Sequence, residues 1–372
     1  MSGASRRSPM TGSKAKEAAD LARKKGREKG FELLLDEVVA RGLCTGCGAC
    51  ATVCPRCEID FSADGWPVLQ DTDDCVKCAL CAVHCPSSFS IAEIVEEKMF
   101  SGERDELGYY IRRFSARASD PEIRQQAQDG GVTSAIVKYM FEKDMIDGAV
   151  LCKADENFVG LPFLATSWGE ASQAAKSKYN ICPNLVGLKK ARDEGLKRVL
   201  LVGLPCHIAA YRKIEEYGPR SLSEIVVMTV GIFCSENFCR TMISEFLPQV
   251  GVEPRKIRKM DIKGLFRVET EDGVVEVPLQ KMKDYVNPGC LACSDFSAEL
   301  ADISVGAVGA PAGWCSVLAR TEKGNQLLRR MKREGVIETG KLVKPKTLKR
   351  MSALKRLRGN RKLAEILGTS GS

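Results

Sequence analysis

The apolar positions of this chain change rhythm near residue 110. Beyond it, short continuous hydrophobic runs alternate with stretches whose apolar residues recur every three to four positions. The first kind predicts buried strands and the second amphipathic helices. On that basis Gly148 to Cys152, Arg198 to Leu204 and Ile225 to Phe233 are strands, and Val132 to Lys143, Asn184 to Glu194 and His207 to Tyr217 are helices. Phe266 to Val277, interrupted by Glu271-Asp272-Gly273, has the turn chemistry of a β-hairpin. Strands alternating with helices imply an α/β core with some antiparallel, α+β additions. Ahead of that core the pattern predicts one helix over roughly 14–40. It also predicts a short hairpin between Glu58 and Asp74, around Trp66-Pro67-Val68-Leu69. At the far end Leu348, Met351, Leu354 and Leu357 recur every third residue among lysines and arginines, which predicts a basic amphipathic helix.

Composition narrows the class. The 372 residues leave room for about two or three domains, and 44% hydrophobic residues is ordinary for a globular protein. No run is long and apolar enough to predict a membrane span, and the first thirty residues are too polar for a secretion signal. Seventeen cysteines in such a chain point to a reducing compartment, the cytoplasm, and to metal ligation rather than disulfides. The formal charge of +8 sits at the two ends. Residues 1–30 hold nine Lys/Arg against three Asp/Glu and residues 341–372 hold ten against one, which leaves residues 31–340 at −7. These tails read either as solvated, partly helical arms or as docking segments for an acidic partner or a membrane surface. No recognition motif accompanies the charge, so nucleic acid is not a predicted partner.

The cysteines carry the chemistry. Cys44, Cys47, Cys50 and Cys54-Pro55 form one run, and Cys75, Cys78, Cys81 and Cys85-Pro86 a second. Both fit C-x2-C-x2-C-x3-C-P, the spacing of a bacterial-type ferredoxin with two 4Fe–4S clusters. A tight loop with a thiol at every third residue supplies three ligands to a cubane, and the fourth comes from the other run. The expected sets are therefore Cys44, Cys47, Cys50 and Cys85 for one cluster, and Cys75, Cys78, Cys81 and Cys54 for the other. Gly46 and Gly48 let the first loop approach the cluster, and Pro55 and Pro86 turn the chain away afterwards. The competing reading is a pair of four-thiolate zinc sites, which usually arrive as two separated C-x2-C pairs.

A second centre is predicted in the core. The strand from Arg198 leads into Cys206, and the strand from Ile225 leads into Cys234. A β-α-β crossover makes those strands parallel and puts both cysteines at the C-terminal edge, where α/β sheets bind ligands. Cys290 and Cys293 add a C-x2-C pair after Pro288-Gly289. The spacing fits a third cubane on Cys206, Cys234, Cys290 and Cys293. It equally fits two structural cysteines beside an unrelated zinc or redox pair. Cys57, Cys152, Cys182, Cys239 and Cys315 have no ligand spacing and read as core or incidental thiols. His84 and His207 adjoin predicted ligands without being ligands themselves. Asp129-Gly130-Gly131 followed by Val132-Thr133-Ser134 is a glycine turn opening a helix. Its free N–H groups suit a pyrophosphate or serve as a plain helix start. Lys178 reads as a charge-offsetting cation or a surface lysine, and the glycines from Gly306 to Gly313 as a close backbone approach or an ordinary turn.

These motifs together resemble the family of beta subunits of coenzyme F420-reducing hydrogenases and F420-dependent dehydrogenases. The resemblance rests on Ala127-Gln128-Asp129-Gly130-Gly131, Lys178-Tyr179 with Pro183-Asn184, and Leu204-Pro205-Cys206. It continues through Gly231-Ile232-Phe233-Cys234, Glu236-Asn237-Phe238, Met260-Asp261, and Gly289-Cys290 with Cys293. It closes on Ala298 to Ser304, with Gly306, Gly309, Gly313 and Trp314 following. The matches are co-linear over about residues 112–335. The resemblance implies an FAD-containing core that exchanges hydride with the deazaflavin F420, and a 4Fe–4S cluster on the four core cysteines. It implies cofactor contacts from Gly130, Gly131, Thr133, Ser134, Lys178, Tyr179, Asn184, Gly306, Gly309 and Trp314. No side-chain acid, base or nucleophile is required for hydride transfer itself, so no catalytic residue is named.

The expected organisation is a basic helical extension over 1–42, a two-cluster ferredoxin domain over 43–92, an F420- and FAD-binding iron–sulfur flavoprotein core over 93–340, and a basic amphipathic tail over 341–372. The ferredoxin module in front resembles the electron-input subunit of membrane-associated F420H2 dehydrogenases of archaeal, methanogenesis-type energy metabolism. It also resembles the F420H2-oxidising half of related sulfite reductases. The implied partners are F420 and a larger redox complex, with peripheral contact to the cytoplasmic face of a membrane through that complex. Two other functions fit the same motifs: a non-catalytic iron–sulfur relay, or the same fold reducing another substrate, as chlorophyll-type reductases do with electrons from ferredoxin.

Overall fold

The computed structural model describes residues 12–56, 59–70, 75–100 and 103–368. Cys57, Glu58 and the 71–74 end of the predicted N-terminal hairpin lie outside the described residues. Among those described, the body is built on an eight-stranded mixed sheet. Its order is Ile337–Gly340, Arg112–Ala118, Cys315–Ala319, Ile303–Gly306, Val226–Ile232, Val199–Gly203, Gly148–Ala154, Gly160–Ala165. The strands from Ile303–Gly306 to Gly148–Ala154 run parallel, and both flanks add antiparallel strands.

The parallel strands are apolar on both faces because both faces are covered. Leu200, Met228 and Val305 pack with Ile136 and Met140 of helix Val132–Glu142 and with Leu328 of helix Glu322–Arg333. Val150, Val199 and Leu201 pack on the opposite side with Leu188 of helix Val186–Asp193 and Ile208 of helix Pro205–Tyr217. A buried ion pair locks one end of this layer. Asp302 accepts from the Thr229 amide and hydroxyl, both at 2.8 Å, and faces Arg212 at 3.6 Å. Burial pushes the Asp302 carboxyl up, but Arg212, Lys323 and Thr229 outweigh it and hold it below the ordinary value. A separate three-stranded antiparallel sheet, Ile257–Ile262, Leu265–Thr270 and Gly273–Pro278, has its own core around Phe238, Phe266 and Val268.

The N-terminal module packs into this body. Its hairpin pairs Ile59–Phe61 with Pro67–Leu69, and Cys47, Ala49 and Val53 share a hydrophobic core with Leu185, Leu188 and Ile208. The single helix expected over 14–40 is broken. Helix Gly12–Lys29 stops at Gly30, whose φ is +64°, and Glu32–Leu34 continues into Leu35–Val39. The break has a packing cause: a Cβ on Gly30 would meet the Cys75 sulfur at 2.8 Å, and one on Gly26 would overlap Ala79. This helix is therefore fitted to the second cysteine loop rather than being a free arm.

The C-terminal helix Pro345–Ile366 differs from expectation in its orientation. The stripe of leucines and methionine does not define its buried face. Leu348 is buried, but Leu354 is 50% and Leu357 69% exposed. The face that packs inward is Leu348, Ser352, Lys355 and Gly359, a spacing of three to four residues that matches one side of a helix. Gly359 lies against the backbone of Cys293, where a Cβ would overlap the carbonyl. Ordinarily Gly→Ala inside a helix gains about 1 kcal/mol of propensity. Here the new methyl overlaps immobile backbone, an overpacking cost of roughly 1–3 kcal/mol. Gly359→Ala is therefore expected to destabilise, seen as a lower thermal midpoint and faster proteolysis of the C-terminal helix. An unchanged or raised midpoint would show that the helix is not seated on the Cys293 loop.

Candidate iron–sulfur and cofactor site

Two cavities lie in the N-terminal module, and the cysteines divide between them crosswise. One is lined by Cys44, Cys47, Cys50 and Cys85, the other by Cys54, Cys75, Cys78 and Cys81. The last cysteine of each run thus faces the cavity of the other. The two loops repeat with an offset of 31 residues, from Cys44 to Cys75 and from Cys54 to Cys85. Their backbones repeat too: Gly46 and Gly48 have φ of +66° and +88°, and the equivalent Lys77 and Ala79 have +51° and +66°. Left-handed residues turn successive thiols toward one centre, at a cost of about 1–2 kcal/mol for each non-glycine. Glycine occupies the first loop because that loop abuts the body. A Cβ on Gly48 would meet the Pro183 carbonyl oxygen at 2.5 Å, and one on Gly46 would overlap Ile181. In the second loop the Ala79 methyl is accommodated by Gly26 instead.

Burial governs these thiols. It pushes Cys47 and Cys81 up to about 12, with Cys85 adding to the first and Cys78 to the second. Cys44, Cys50 and Cys85 are raised for the same reason. Neutral, tightly grouped, desolvated thiols are a donor set that a cationic iron core would deprotonate. Lys213 is buried beside the first set. Its Nζ donates to the Cys85 carbonyl at 2.5 Å and to Ser88 Oγ at 3.0 Å, and it stands 3.5 Å from the Phe89 ring centroid. Burial pushes this lysine down to about 7 against the pull of Cys85 and Cys47.

The core cysteines gather at the predicted edge. Gly203 pairs with Gly231 across the parallel strands, and the chain reaches Cys206 and Cys234 just beyond. The Cys234 amide bonds the Phe296 carbonyl at 2.9 Å, which docks the loop carrying Cys290 and Cys293 onto the same edge. Burial raises Cys206 first, and then the neighbouring charges of Cys47, Cys290, Cys293 and Cys234 raise it further. Cys290 is raised by burial, Cys234 and Cys293. The set is thus close-knit, and its nearest ferredoxin-module thiol is Cys47. A Cβ on Gly289 would overlap the Cys44 carbonyl, so the core loop and the first cysteine loop touch. Asn287 Nδ2 and Arg358 Nε, both beside this set, are buried donors without a protein partner.

His207 braces the edge in a defined tautomer. The Leu204 amide donates to its Nδ1 at 3.0 Å, so Nε2 carries the proton that reaches the Cys182 carbonyl at 3.2 Å. Burial pushes His207 and His84 down to about 4, so both are neutral. Cys152 and Cys182, with no ligand spacing in the sequence, lie side by side against Gly160, near Lys178.

The residues expected to contact a flavin scatter more widely. Gly131, at φ +73°, caps helix Val132–Glu142, with Thr133 and Ser134 half-buried in its first turn. Gly130 touches Trp314 and Cys315, its ideal Cβ 2.9 Å from each backbone. Burial pushes the Cys315 thiol up to about 11, with the nearby amides of Val132, Gly130 and Gly131 acting against the rise. The turn assigned to a pyrophosphate is thus packed against a cysteine. Lys178 Nζ is committed to the carbonyls of Ala174, Ala175 and Lys176 at 2.7, 2.7 and 3.0 Å, and burial pushes it down to about 8. Gly306 is filled by the Phe233 ring and Gly309 by Leu348 and Ser316, so protein packing accounts for both. Two residues lie nearer to the strand ends that lead into the core cysteines. Tyr179 is raised by burial and by Asp261, with Asp129 and Cys234 also within its field. Asn184 donates to the Val202 carbonyl at 2.8 Å and leaves its buried Oδ1 without a partner. Trp314 lies under the Arg117 guanidinium at 4.7 Å.

Thiol sets of this kind, with a matching 4Fe-4S binding domain over residues 37–56, define an iron–sulfur protein on a mixed α/β body. Residues 113–189 and 196–345 match the N-terminal and C-terminal models of the coenzyme F420 hydrogenase/dehydrogenase beta subunit. The coenzyme F420 hydrogenase beta subunit of Methanothermobacter thermautotrophicus is 37% identical over 268 residues, covering 69% of this chain and 95% of that one. A subunit of the F(420)H(2) dehydrogenase of Methanosarcina mazei is 33% identical over 308 residues, covering 78% and 82%. The coenzyme F420-dependent sulfite reductase of Methanocaldococcus jannaschii is 35% identical over 316 residues, or 80% of this chain but 47% of that protein. A chain of the F420-reducing NiFe hydrogenase complex from Methanosarcina barkeri superposes with a TM-score of 0.69 at 35% identity, covering 73% and 97%. The chain belongs to the family of coenzyme F420 hydrogenase/dehydrogenase beta subunits.

Gly48→Val tests the seating of the first cysteine loop on the body. The variant combines a left-handed β-branched residue, which costs about 1–3 kcal/mol, with overlap at the Pro183 carbonyl. Loss of protection at the Leu185 amide, which bonds the Cys47 carbonyl at 3.2 Å, is expected in hydrogen exchange. Unchanged protection there would show the two surfaces to be independent.

Proposed function

We propose that this chain oxidises reduced coenzyme F420 and passes the electrons singly through three 4Fe–4S clusters to a larger redox complex, as its electron-input subunit. FAD, when bound, supplies the exchange between hydride and single-electron chemistry. The observation that carries the reading is the convergence of three four-thiol sets, two crossed and one at the sheet edge, on a family body whose relatives are named for F420. Among the described residues no three His, Cys, Asp or Glu side chains close on one point suited to a single ion. The two module sets each line a cavity of their own, which supports the cluster reading.

The residues supply position and insulation. Tyr179, Asn184, Asp129 and Asp261 are proposed to line the approach to the core cysteines, where F420 and FAD would meet; the field of Asp261, Asp129 and Cys234 on Tyr179 supports this. Cys206 adjoins Cys47, so the core set is the proposed donor to Cys44, Cys47, Cys50 and Cys85. Cys50 adjoins Cys81, which leads to the set with the exposed Cys78, the proposed outlet to the partner. No described helix is long and apolar enough to cross a membrane, so membrane association is proposed to come through the partner complex.

One observation favours the relay reading, clusters without a substrate site: the Gly130–Gly131 turn is packed against Trp314 and Cys315. Anaerobic purification with iron and flavin analysis separates the two. About twelve iron atoms with one FAD, and bleaching of reduced F420 in the presence of an artificial acceptor, are expected. Iron without flavin or bleaching would leave only the relay.

Two variants refine the assignment. Cys85→Ser is expected to remove the cluster of the first run and Cys54→Ser that of the second, each losing about four iron atoms. Loss of the opposite cluster, read from the remaining paramagnetic signals, would undo the crossing. Ser134→Glu places a carboxylate in the first turn of Val132–Glu142, where it should stabilise the helix by about 0.3–1 kcal/mol. It should nonetheless expel FAD if the pyrophosphate lies there. Full flavin occupancy in a folded Ser134→Glu protein would move the pyrophosphate elsewhere.

A further inference from the structure

We propose that Lys355, in the C-terminal helix, is a positioning residue whose buried charge raises the reduction potential of the core cluster. The inference rests on the reading that Cys206, Cys234, Cys290 and Cys293 hold a cubane. The family model ends at residue 345, where this helix begins, so the charge is supplied from outside the matched body.

The geometry distinguishes Lys355 from its neighbours. It is 6% exposed, and its Nζ donates to the Cys234 carbonyl at 2.6 Å. Lys349 pairs with Asp105 and Glu106, Arg356 with Glu299, and Arg358 with Glu236. Among the described residues no carboxylate forms an ion pair with Lys355. A buried ammonium without a counter-ion is strongly disfavoured. The groups nearest to its charge are the sulfurs of Cys234, Cys293 and Cys290, followed by Asp295, and a bound cluster would make those sulfurs thiolates. The side chain is also held in place. Ser352 Oγ bonds the Glu106 carbonyl at 2.6 Å on one side, and Gly359 seats on Cys293 on the other.

A cubane with four thiolates is an anion, and accepting an electron makes it more negative. A fixed cation in a dry environment therefore stabilises the reduced form more than the oxidised form. Charge and hydrogen bonding around the thiolates are the means by which a protein sets such potentials. Arg358 reaches the Cys290 carbonyl at 3.5 Å, but its charge is balanced by Glu236 at 2.8 Å. Lys355 is the unbalanced one.

The test is a dye-mediated redox titration of the anaerobic holoprotein, followed by electron paramagnetic resonance. Cys290→Ala identifies which signal belongs to the core cluster. Lys355→Gln keeps a donor for the Cys234 carbonyl and removes the charge, and Lys355→Arg keeps both. In Lys355→Gln the reduced-to-oxidised ratio of the core signal at a fixed potential should fall about tenfold, ~59 mV for one electron. Lys355→Arg should stay within about threefold of the parent, and the other two signals should not move in either variant. An unmoved core signal in Lys355→Gln, or an equal shift of all signals, would overturn the proposal. So would loss of core iron in Lys355→Gln that Lys355→Arg restores, which would make the lysine a retention element. If Cys290→Ala retained the parent's full iron, the core-cluster reading itself would fail, a result distinct from all of these.

Discussion

The parallel register of two buried strands sets where this molecule can hold a redox centre. Gly203 faces Gly231, and the chain reaches a cysteine three residues after each. Every other part of the site is arranged around that pairing. The Phe296 carbonyl caps the Cys234 amide and brings in Cys290 and Cys293. The helix that begins at Pro205 carries Cys206 at its start and Lys213 two turns later, so one rigid element touches both the core set and the first ferredoxin set. Arg212, on the same helix, anchors Asp302 and the loop that follows the core cysteines. A slip of one residue would reverse which faces the strands bury and separate the two cysteines.

The relation between module and body follows from the same economy of space. Glycines appear in the first cysteine loop where the body presses against it, and alanine appears at the equivalent place in the second loop, where a helix glycine makes room. Identical backbone turns are thus reached with different residues because different surfaces lie outside them. The proposed path from core to surface runs through contacts that are packed rather than tethered. Cys47 lies in the same apolar cluster as Leu185 and Ile208.

Much of this was legible in the chain. The β-α-β unit could be read because parallel strands covered on both faces must be continuously apolar, as Val199 to Gly203 are. The crossed cysteine sets could be read because spacing alone fixes which thiols one loop can supply. Two other strands of the sheet could not. Arg112–Ala118 buries only small residues, and Ile303–Gly306 buries Ser304, whose hydroxyl donates to the Ala298 carbonyl and accepts from Arg320. A polar residue reads as exposed until its partner is known. Lys355 and Lys213 were missed for that reason, since a lysine in a basic segment has no sequence mark of burial. The contact of Cys315 with the Gly130–Gly131 turn joins residues far apart in the chain, and a glycine turn looks the same whether it serves a phosphate or a thiol.

The crossing of Cys54 and Cys85 also bears on biogenesis. During synthesis the first loop emerges with three of its thiols and must wait for Cys85, so the set containing Cys81 is complete before the one that began earlier. The core set closes only when Cys293 has left the ribosome, and its covering helix follows later still. The thiol sets are thus completed in order, from the module inward. A truncated product ending before residue 345 would carry every cysteine of the three sets and yet leave the last of them uncovered.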